Sequence, residues 1–88
     1  MFKNKSIFGK NNICGEKIYQ LRKNYTPKMS QRILAEKLQI MGIDVDKNAI
    51  QRIESGQRFV TDIELLAISR IFKVSCEELF DNYKFTED

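Results

Sequence analysis

The sequence predicts one all-α domain built from five short helices. Apolar residues recur at helical spacing in five separate segments, and no segment alternates polar and apolar residues long enough to predict a strand. A side chain suited to capping a helix N-terminus stands before each of the five segments. At 88 residues and 42% hydrophobic composition, the chain has room for one small core and little room for a second domain.

The first two helices are each predicted from a cap, an apolar stripe and a terminating residue. Asn12 is the predicted N-cap of the first helix, and Pro27 ends that segment because a residue before proline is disfavoured in the α region. Ser30 is the predicted N-cap of the second helix, which Gly42 ends. The apolar stripe of the first helix comprises Cys14, Ile18, Leu21 and Tyr25, and that of the second comprises Leu34, Leu38 and Met41.

The remaining helices follow from the same signals. Asp46 can cap the third helix, and Gly56 follows its last apolar position, where a left-handed C-terminal cap is expected. The fourth and fifth helices each open with a capping box, in which a hydroxyl residue is followed three positions later by Glu. These boxes are Thr61-x-x-Glu64 and Ser75-x-x-Glu78.

Composition argues against catalysis and against a metal or cofactor. The chain has no histidine, two cysteines and no glycine-rich nucleotide motif. The segment Asp44-x-Asp46-x-Asn48 imitates the start of a calcium loop, but Ala49 and Ser55 stand where that loop needs Gly and Glu. We therefore expect no enzyme, no cofactor and no metal. The absence of a long apolar run or a secretory leader predicts a cytoplasmic location.

Charge divides the chain into a basic front and an acidic back. Residues 1–37 carry nine Lys or Arg against two Glu, whereas residues 61–88 carry three Lys or Arg against seven Asp or Glu. This asymmetry favours a polyanion facing one side, although a merely solvated charged surface is the alternative. We predict a basic flexible arm at 1–11, a helical domain at 12–83 and an acidic frayed tail at 84–88.

The third helix has an outward face suited to reading base edges. Arg and Lys can contact guanine, and Asn and Gln can pair with adenine, in the major groove. An ordinary polar helix face is the alternative interpretation. The predicted base-contacting residues are Lys47, Asn48, Gln51 and Arg52.

Donor-rich residues flank that helix on both sides. The N-terminus of the second helix presents free N–H groups to a phosphate, and a glycine turn follows the third helix. Phosphate contacts on both sides would set the register of the reading helix. The predicted phosphate-contacting residues are Gln31, Arg32, Gln57 and Arg58.

Three motifs in this order resemble the lambda-repressor/Cro-like helix-turn-helix (XRE) family over roughly residues 13–80. They are Ser30-Gln31-x-x-Leu34-Ala35-Glu36-Lys37-Leu38, then Ile50-Gln51-Arg52-Ile53-Glu54-Ser55-Gly56-Gln57-Arg58, then Val74-Ser75-x-Glu77-Glu78-Leu79-Phe80. The resemblance implies a compact five-helix DNA-binding domain whose second helix crosses the DNA backbone and whose third helix enters the major groove. It also implies a structural ion pair between Arg22 and Glu54.

The sequence departs from the family pattern in its connections. The stretch between Leu38 and Val45 is longer than the family's usual tight turn, so either the second helix is extended or the turn is a real loop. The connection from Asn24 to Lys28 is also longer.

The leading functional hypothesis is a regulator that binds double-stranded DNA sequence-specifically, most simply a repressor, since the chain has no room for an activation domain. A homodimer through the C-terminal aromatic residues Phe80, Tyr83 and Phe85 would read two half-sites, although those residues could instead form a cluster within one chain. The arm lysines Lys3, Lys5 and Lys10 could enter a minor groove or merely solubilise the arm. The rival hypothesis is a protein-interaction adaptor or antitoxin-like regulator, with exposed Ile40, Met41 or Ile43 as its contact surface.

Overall fold

A computed structural model describes residues 4–80 and 83–85 of the chain. This part contains four α-helices, a single 3₁₀ turn and no strand, which confirms the all-α prediction. None of its helices is long and apolar enough to cross a bilayer. The elements are α1 (Gly15–Lys23), α2 (Gln31–Ile40), α3 (Lys47–Glu54), α4 (Asp62–Phe72) and the C-terminal 3₁₀ turn (Glu77–Phe80).

The predicted fifth helix is only a 3₁₀ turn in the described chain. Its capping box does form, because Ser75 Oγ accepts from the Glu78 N–H at 3.2 Å and Glu78 Oε1 accepts from the Ser75 N–H at 3.2 Å. The turn places Leu79 in the core with no exposed surface. The sequence then continues with Asp-Asn, which are poor helix formers. Within the described residues, this N-terminal signal therefore begins a 3₁₀ turn rather than an α-helix.

The first helix begins later than predicted. Asn12 lies outside α1, and Cys14 occupies the N-cap position. The Asn12 side chain still accepts from the Gly15 N–H at 2.8 Å, so it satisfies a first-turn donor from further upstream. Tyr25 lies beyond the end of α1, and its ring packs edge-on against Phe72 with centroids 5.8 Å apart.

The α2–α3 connection is a real loop rather than an extension of α2. The helix ends at Ile40 in a Schellman motif, in which Ile43 N–H donates to the Leu38 carbonyl at 2.9 Å and Gly42 has a φ of 87°. Because the helix stops there, Met41 is 47% exposed and is not part of the buried stripe, contrary to prediction. The loop is held by Gln39 Nε2, which donates to the Val45 carbonyl at 2.7 Å.

Both termini of α3 and the N-terminus of α4 form as the sequence predicts. Asp46 Oδ1 accepts from the Ala49 N–H at 2.8 Å, and Gly56 follows α3 with a φ of 83°. Thr61 and Glu64 form the complete capping box of α4.

The core draws an apolar side chain from every element. Its fully buried members are Cys14, Ile18, Leu34, Leu38, Ile50, Ile53, Ile68 and Leu79. α3 packs against both α1 and α2, so that its remaining side faces outward.

The described part of the predicted flexible arm is folded against the domain. Ser6 N–H donates to the Lys10 carbonyl at 2.8 Å, which closes a turn, and Asn11 N–H donates to the Gly56 carbonyl at 2.8 Å. The rest of the predicted arm, residues 1–3 with Lys3, and residues 86–88 of the predicted tail lie outside the described residues.

Candidate nucleic-acid interface

The four predicted base-contacting side chains share the outer face of α3. At about 100° per residue, four positions spaced i, i+1, i+4 and i+5 span an arc of about 140°. The buried residues of α3 occupy the opposite arc and are Ala49, Ile50 and Ile53. Within the described chain, no side chain forms a hydrogen bond or ion pair with those of the outer face, and all four are exposed: Lys47, Asn48, Gln51 and Arg52.

The N-terminal end of α3 carries one acidic side chain, which already accepts a hydrogen bond from the helix backbone. Asp46 caps the helix by accepting from the Ala49 N–H. This contact directs the carboxylate to the helix backbone, where it complements the positive end of the helix dipole.

The N-terminus of α2 leaves backbone donors available to an anion. Ser30 Oγ accepts from the Ile33 N–H at 3.1 Å, so the N–H groups of Gln31 and Arg32 remain without an intrahelical acceptor. The Arg32 guanidinium lies 3.1 Å from Glu36, with both side chains more than half exposed. An exposed pair of this kind is weak and can open for a phosphate.

The Gln31 side chain points to a protein partner. Its Nε2 donates to Glu54 Oε1 at 3.0 Å. This donor is therefore committed to Glu54, and the backbone N–H of Gln31 is the group that remains available to an anion.

Arg58 is held by an acidic partner within the chain. Its guanidinium donates to both Glu64 carboxylate oxygens at 2.9 Å and to the Phe59 carbonyl at 2.9 Å. The same bonds lower the pKa of Glu64 below its usual range. Arg58 keeps 26% of its side chain exposed, so a phosphate would have to share it with Glu64. Gln57, the neighbouring predicted phosphate contact, is exposed.

A buried ion pair anchors the C-terminal end of α3. Arg22 donates from Nε to Glu54 at 2.7 Å and from a terminal nitrogen at 2.9 Å, and it also donates to the Met29 carbonyl. The Glu54 bond raises the pKa of Arg22 further above its usual value, so the guanidinium stays charged. This is the pair that the resemblance implies, and it ties α1 and the residue before the N-cap of α2 to the end of α3.

Sequence reasoning missed a second anchor at the same end of α3. Gly15 lies so close to the last turn of α3 that a Cβ there would overlap the Ile53 carbonyl oxygen. Asn12, predicted only as a cap, also donates from Nδ2 to the Ile53 carbonyl at 3.0 Å. A glycine at a helix start is a weak signal of close backbone approach, and the partners of Asn12 left no local signal.

Both cysteines are free thiols that pack within the domain. Cys14 is a buried free thiol, and burial raises its pKa to about 11, which keeps it neutral at physiological pH. Cys76 is free and half-buried.

The C-terminal aromatic residues contact their own chain. The Tyr83 hydroxyl accepts from the Ile7 N–H at 3.2 Å, and the Tyr83 ring lies 5.3 Å from that of Phe85 in an edge-to-face arrangement. Phe80 is half-buried, whereas Phe85 is 67% exposed.

Comparison with known proteins identifies the family. A family profile described as helix-turn-helix matches residues 18–79, which is most of the chain. No curated protein and no solved structure matches the chain. The matched range contains α2, α3 and their connection, together with the Arg22–Glu54 anchor. The chain therefore belongs to the lambda-repressor/Cro-like helix-turn-helix family of DNA-binding regulators.

Proposed function

We propose that the protein is a transcriptional regulator that binds double-stranded DNA sequence-specifically and reads the major groove with α3. The observation that carries this proposal is the outer face of α3, whose four exposed donor side chains have no partner within the described chain. A helix fits the width of the major groove, and these side-chain types match the base edges found there. A protein that needed this face only for solubility would have no reason to exclude acidic residues from it.

The N-terminus of α2 also supports the proposal, because it offers a second site of contact with the DNA. The free N–H groups of Gln31 and Arg32, together with the Arg32 guanidinium, would bind a phosphate beside the groove. Gln57 and Arg58 lie after α3 and would contact the backbone on its other side. Such contacts fix register without reading sequence, while α3 supplies base choice.

Repression is the mode of action that we propose, because occupying a promoter needs only the DNA contact. A homodimer would place two copies of α3 on half-sites about 34 Å apart, one turn of the double helix. Phe85 is the most exposed of the C-terminal aromatic residues that would join the copies.

The decisive experiment selects bound duplexes from a random pool with the whole protein. A recovered consensus supports base reading, and two inverted copies about one helical turn apart support the dimer. A mobility shift at about 50 mM and 200 mM salt then measures the electrostatic share of binding. Recovery of unrelated sequences only would contradict base reading, and absence of any shift at the lower salt would contradict DNA binding.

One observation favours a second candidate, a protein-interaction adaptor or antitoxin-like regulator. Ile40 is 87% exposed and Met41 is 47% exposed where α2 ends, and Ile43 follows half-buried. A cluster of neighbouring exposed apolar side chains is typical of a surface that contacts another protein. Two results together would favour the adaptor. The parent protein would cause no mobility shift of DNA, and it would bind a protein partner that the Ile40→Ser variant no longer binds.

A further inference from the structure

Two adjacent asparagines of the N-terminal segment (residues 4–12) donate hydrogen bonds to the backbone at the end of α3 and in the loop after it. Asn12 Nδ2 donates to the Ile53 carbonyl at 3.0 Å and to the Arg58 carbonyl at 2.8 Å, while Asn12 Oδ1 accepts from the Gly15 N–H at 2.8 Å. A primary amide has two donor hydrogens, and both are used. One planar group thus joins the start of α1, the end of α3 and the loop after it.

Asn11 extends the same contact along the loop. Its backbone N–H donates to the Gly56 carbonyl at 2.8 Å, and its Nδ2 donates to the Gln57 carbonyl at 2.8 Å. Lys10 lies against Gly56 on the same side, where a Cβ on that glycine would meet the lysine stem. Four carbonyl oxygens between residues 53 and 58 are therefore bound by residues 11 and 12.

These bonds act on the segment that would face the DNA backbone. Carbonyl oxygens carry partial negative charge, and four of them at the end of α3 would repel a phosphate if they turned outward. Asn11 and Asn12 keep them directed at the domain, while the Gln57 side chain stays exposed. The arrangement also fixes the end of α3 against α1, independently of the Arg22–Glu54 pair.

We propose that Asn12, assisted by Asn11, is a positioning residue for DNA recognition. It holds the end of α3 and the 57–58 loop in one register, so that base contacts and phosphate contacts are made together. The inference rests on the proposed function and extends it to two residues that belong to neither predicted set of DNA-contacting residues but bind the backbone of Gln57 and Arg58. An amide is required because the position needs two donors and one acceptor on a single planar group.

Asn12→Asp is the appropriate test, since it keeps the size of the side chain and the acceptor for Gly15 but removes both donors. Asn24→Asp is the matched control: it makes the same charge change at an exposed C-cap whose side chain has no partner in the described chain. Both variants are compared with the parent protein on its selected duplex and on an unrelated duplex, below the melting temperature measured by circular dichroism.

We expect Asn12→Asp to lower the ratio of selected to unrelated affinity about tenfold, because both donors are lost. Asn24→Asp adds the same charge without removing a bond of this kind, so it should keep the parent ratio. Amide hydrogen exchange should accelerate in Asn12→Asp at Gln57 and Arg58, whose N–H groups donate to the Arg52 carbonyl. Exchange at Ala49 and Ile50 in the first turn of α3 should stay at the parent rate. A purely structural role would lower the melting temperature without changing the affinity ratio.

Equal ratios in Asn12→Asp and Asn24→Asp would overturn the inference while leaving the proposed function intact. A parent protein that selects no sequence would instead contradict the proposed function itself. If Asn12→Asp does not fold, Asn11→Ala decides the matter by removing only the side-chain bond to Gln57. We expect about a threefold loss of the same ratio from it, and an unchanged ratio would overturn the inference.

Discussion

Arg22 and Glu54 join α1 to the last residue of α3 through two hydrogen bonds of 2.7 and 2.9 Å, with less than a tenth of either side chain exposed. The guanidinium also binds the Met29 carbonyl, and Glu54 also accepts from Gln31. Burying two charges is costly, and these additional bonds offset part of that cost. The pair thus fixes where α3, the proposed reading helix, ends relative to the N-terminus of α2.

Glu54→Gln should therefore lower the free energy of unfolding by about 3–5 kcal/mol, because it leaves the Arg22 charge buried without its counter-ion. Urea denaturation measures the change. Glu36→Gln is the matched control, since it breaks the exposed pair with Arg32 and should cost less than about 1 kcal/mol. Equal losses in the two variants would show that burial adds nothing to the Arg22–Glu54 pair.

Arg52→Ala should weaken binding to the selected duplex by about 1–3 kcal/mol and relax base choice at one position. Lys47→Ala should behave in the same way at a neighbouring position. Arg70→Ala removes the same charge from the exposed side of α4 and serves as the control. Competition mobility shifts against single-base variants of the duplex measure the effect. An Arg52→Ala protein with parent selectivity would contradict the assignment of this residue to a base edge.

Glu64→Gln should increase affinity for all DNA sequences, because it releases the Arg58 guanidinium from its bidentate partner. One additional phosphate contact steepens the dependence of log affinity on log salt by about 0.9. Arg58→Ala should weaken all sequences similarly and flatten the same dependence. Glu77→Gln makes the same charge change at an exposed residue of the C-terminal 3₁₀ turn. If it steepened the salt dependence as much, net charge rather than a phosphate contact by Arg58 would be the cause.

The Arg58–Glu64 pair should also make stability depend on acidity. Because Arg58 lowers the pKa of Glu64 in the folded chain, the pair contributes fully above the usual Glu pKa of about 4.3. That contribution is lost as the pH falls through the lower folded pKa. The difference in urea midpoint between the parent protein and Glu64→Gln should therefore become smaller as the pH is lowered from 6 to 3. A constant difference across that range would contradict the coupling.

Gly15→Ala should destabilise the protein even though alanine favours helices more than glycine does. The added methyl group would overlap the Ile53 carbonyl oxygen, which is fixed backbone in the last turn of α3. We expect a loss of about 1–3 kcal/mol, visible as a lower melting temperature. Glu16→Ala is the control because it changes the next, exposed position of α1. A Gly15→Ala protein as stable as the parent would show that α1 can shift away from α3.

Local signals determined most of the helix boundaries. The caps at Ser30, Asp46 and Thr61 and the left-handed glycine at Gly56 formed where the sequence places them. These contacts link residues at most five positions apart, so the information is present in a short window of sequence. The exposed face of α3 follows for the same reason, since helical periodicity separates it from the buried Ile50 and Ile53.

Only the tertiary structure decided which polar side chains are committed to the protein itself. Gln31 and Arg58 carry the same donors whether they face a phosphate or a carboxylate, and it is the distance to Glu54 and Glu64 that directs them inward. Asn12 is a further case, because the two carbonyl groups that its Nδ2 binds lie 41 and 46 residues away. Hydrogen-bond partners across the fold are set by how the helices pack, and no local pattern in the chain records that geometry.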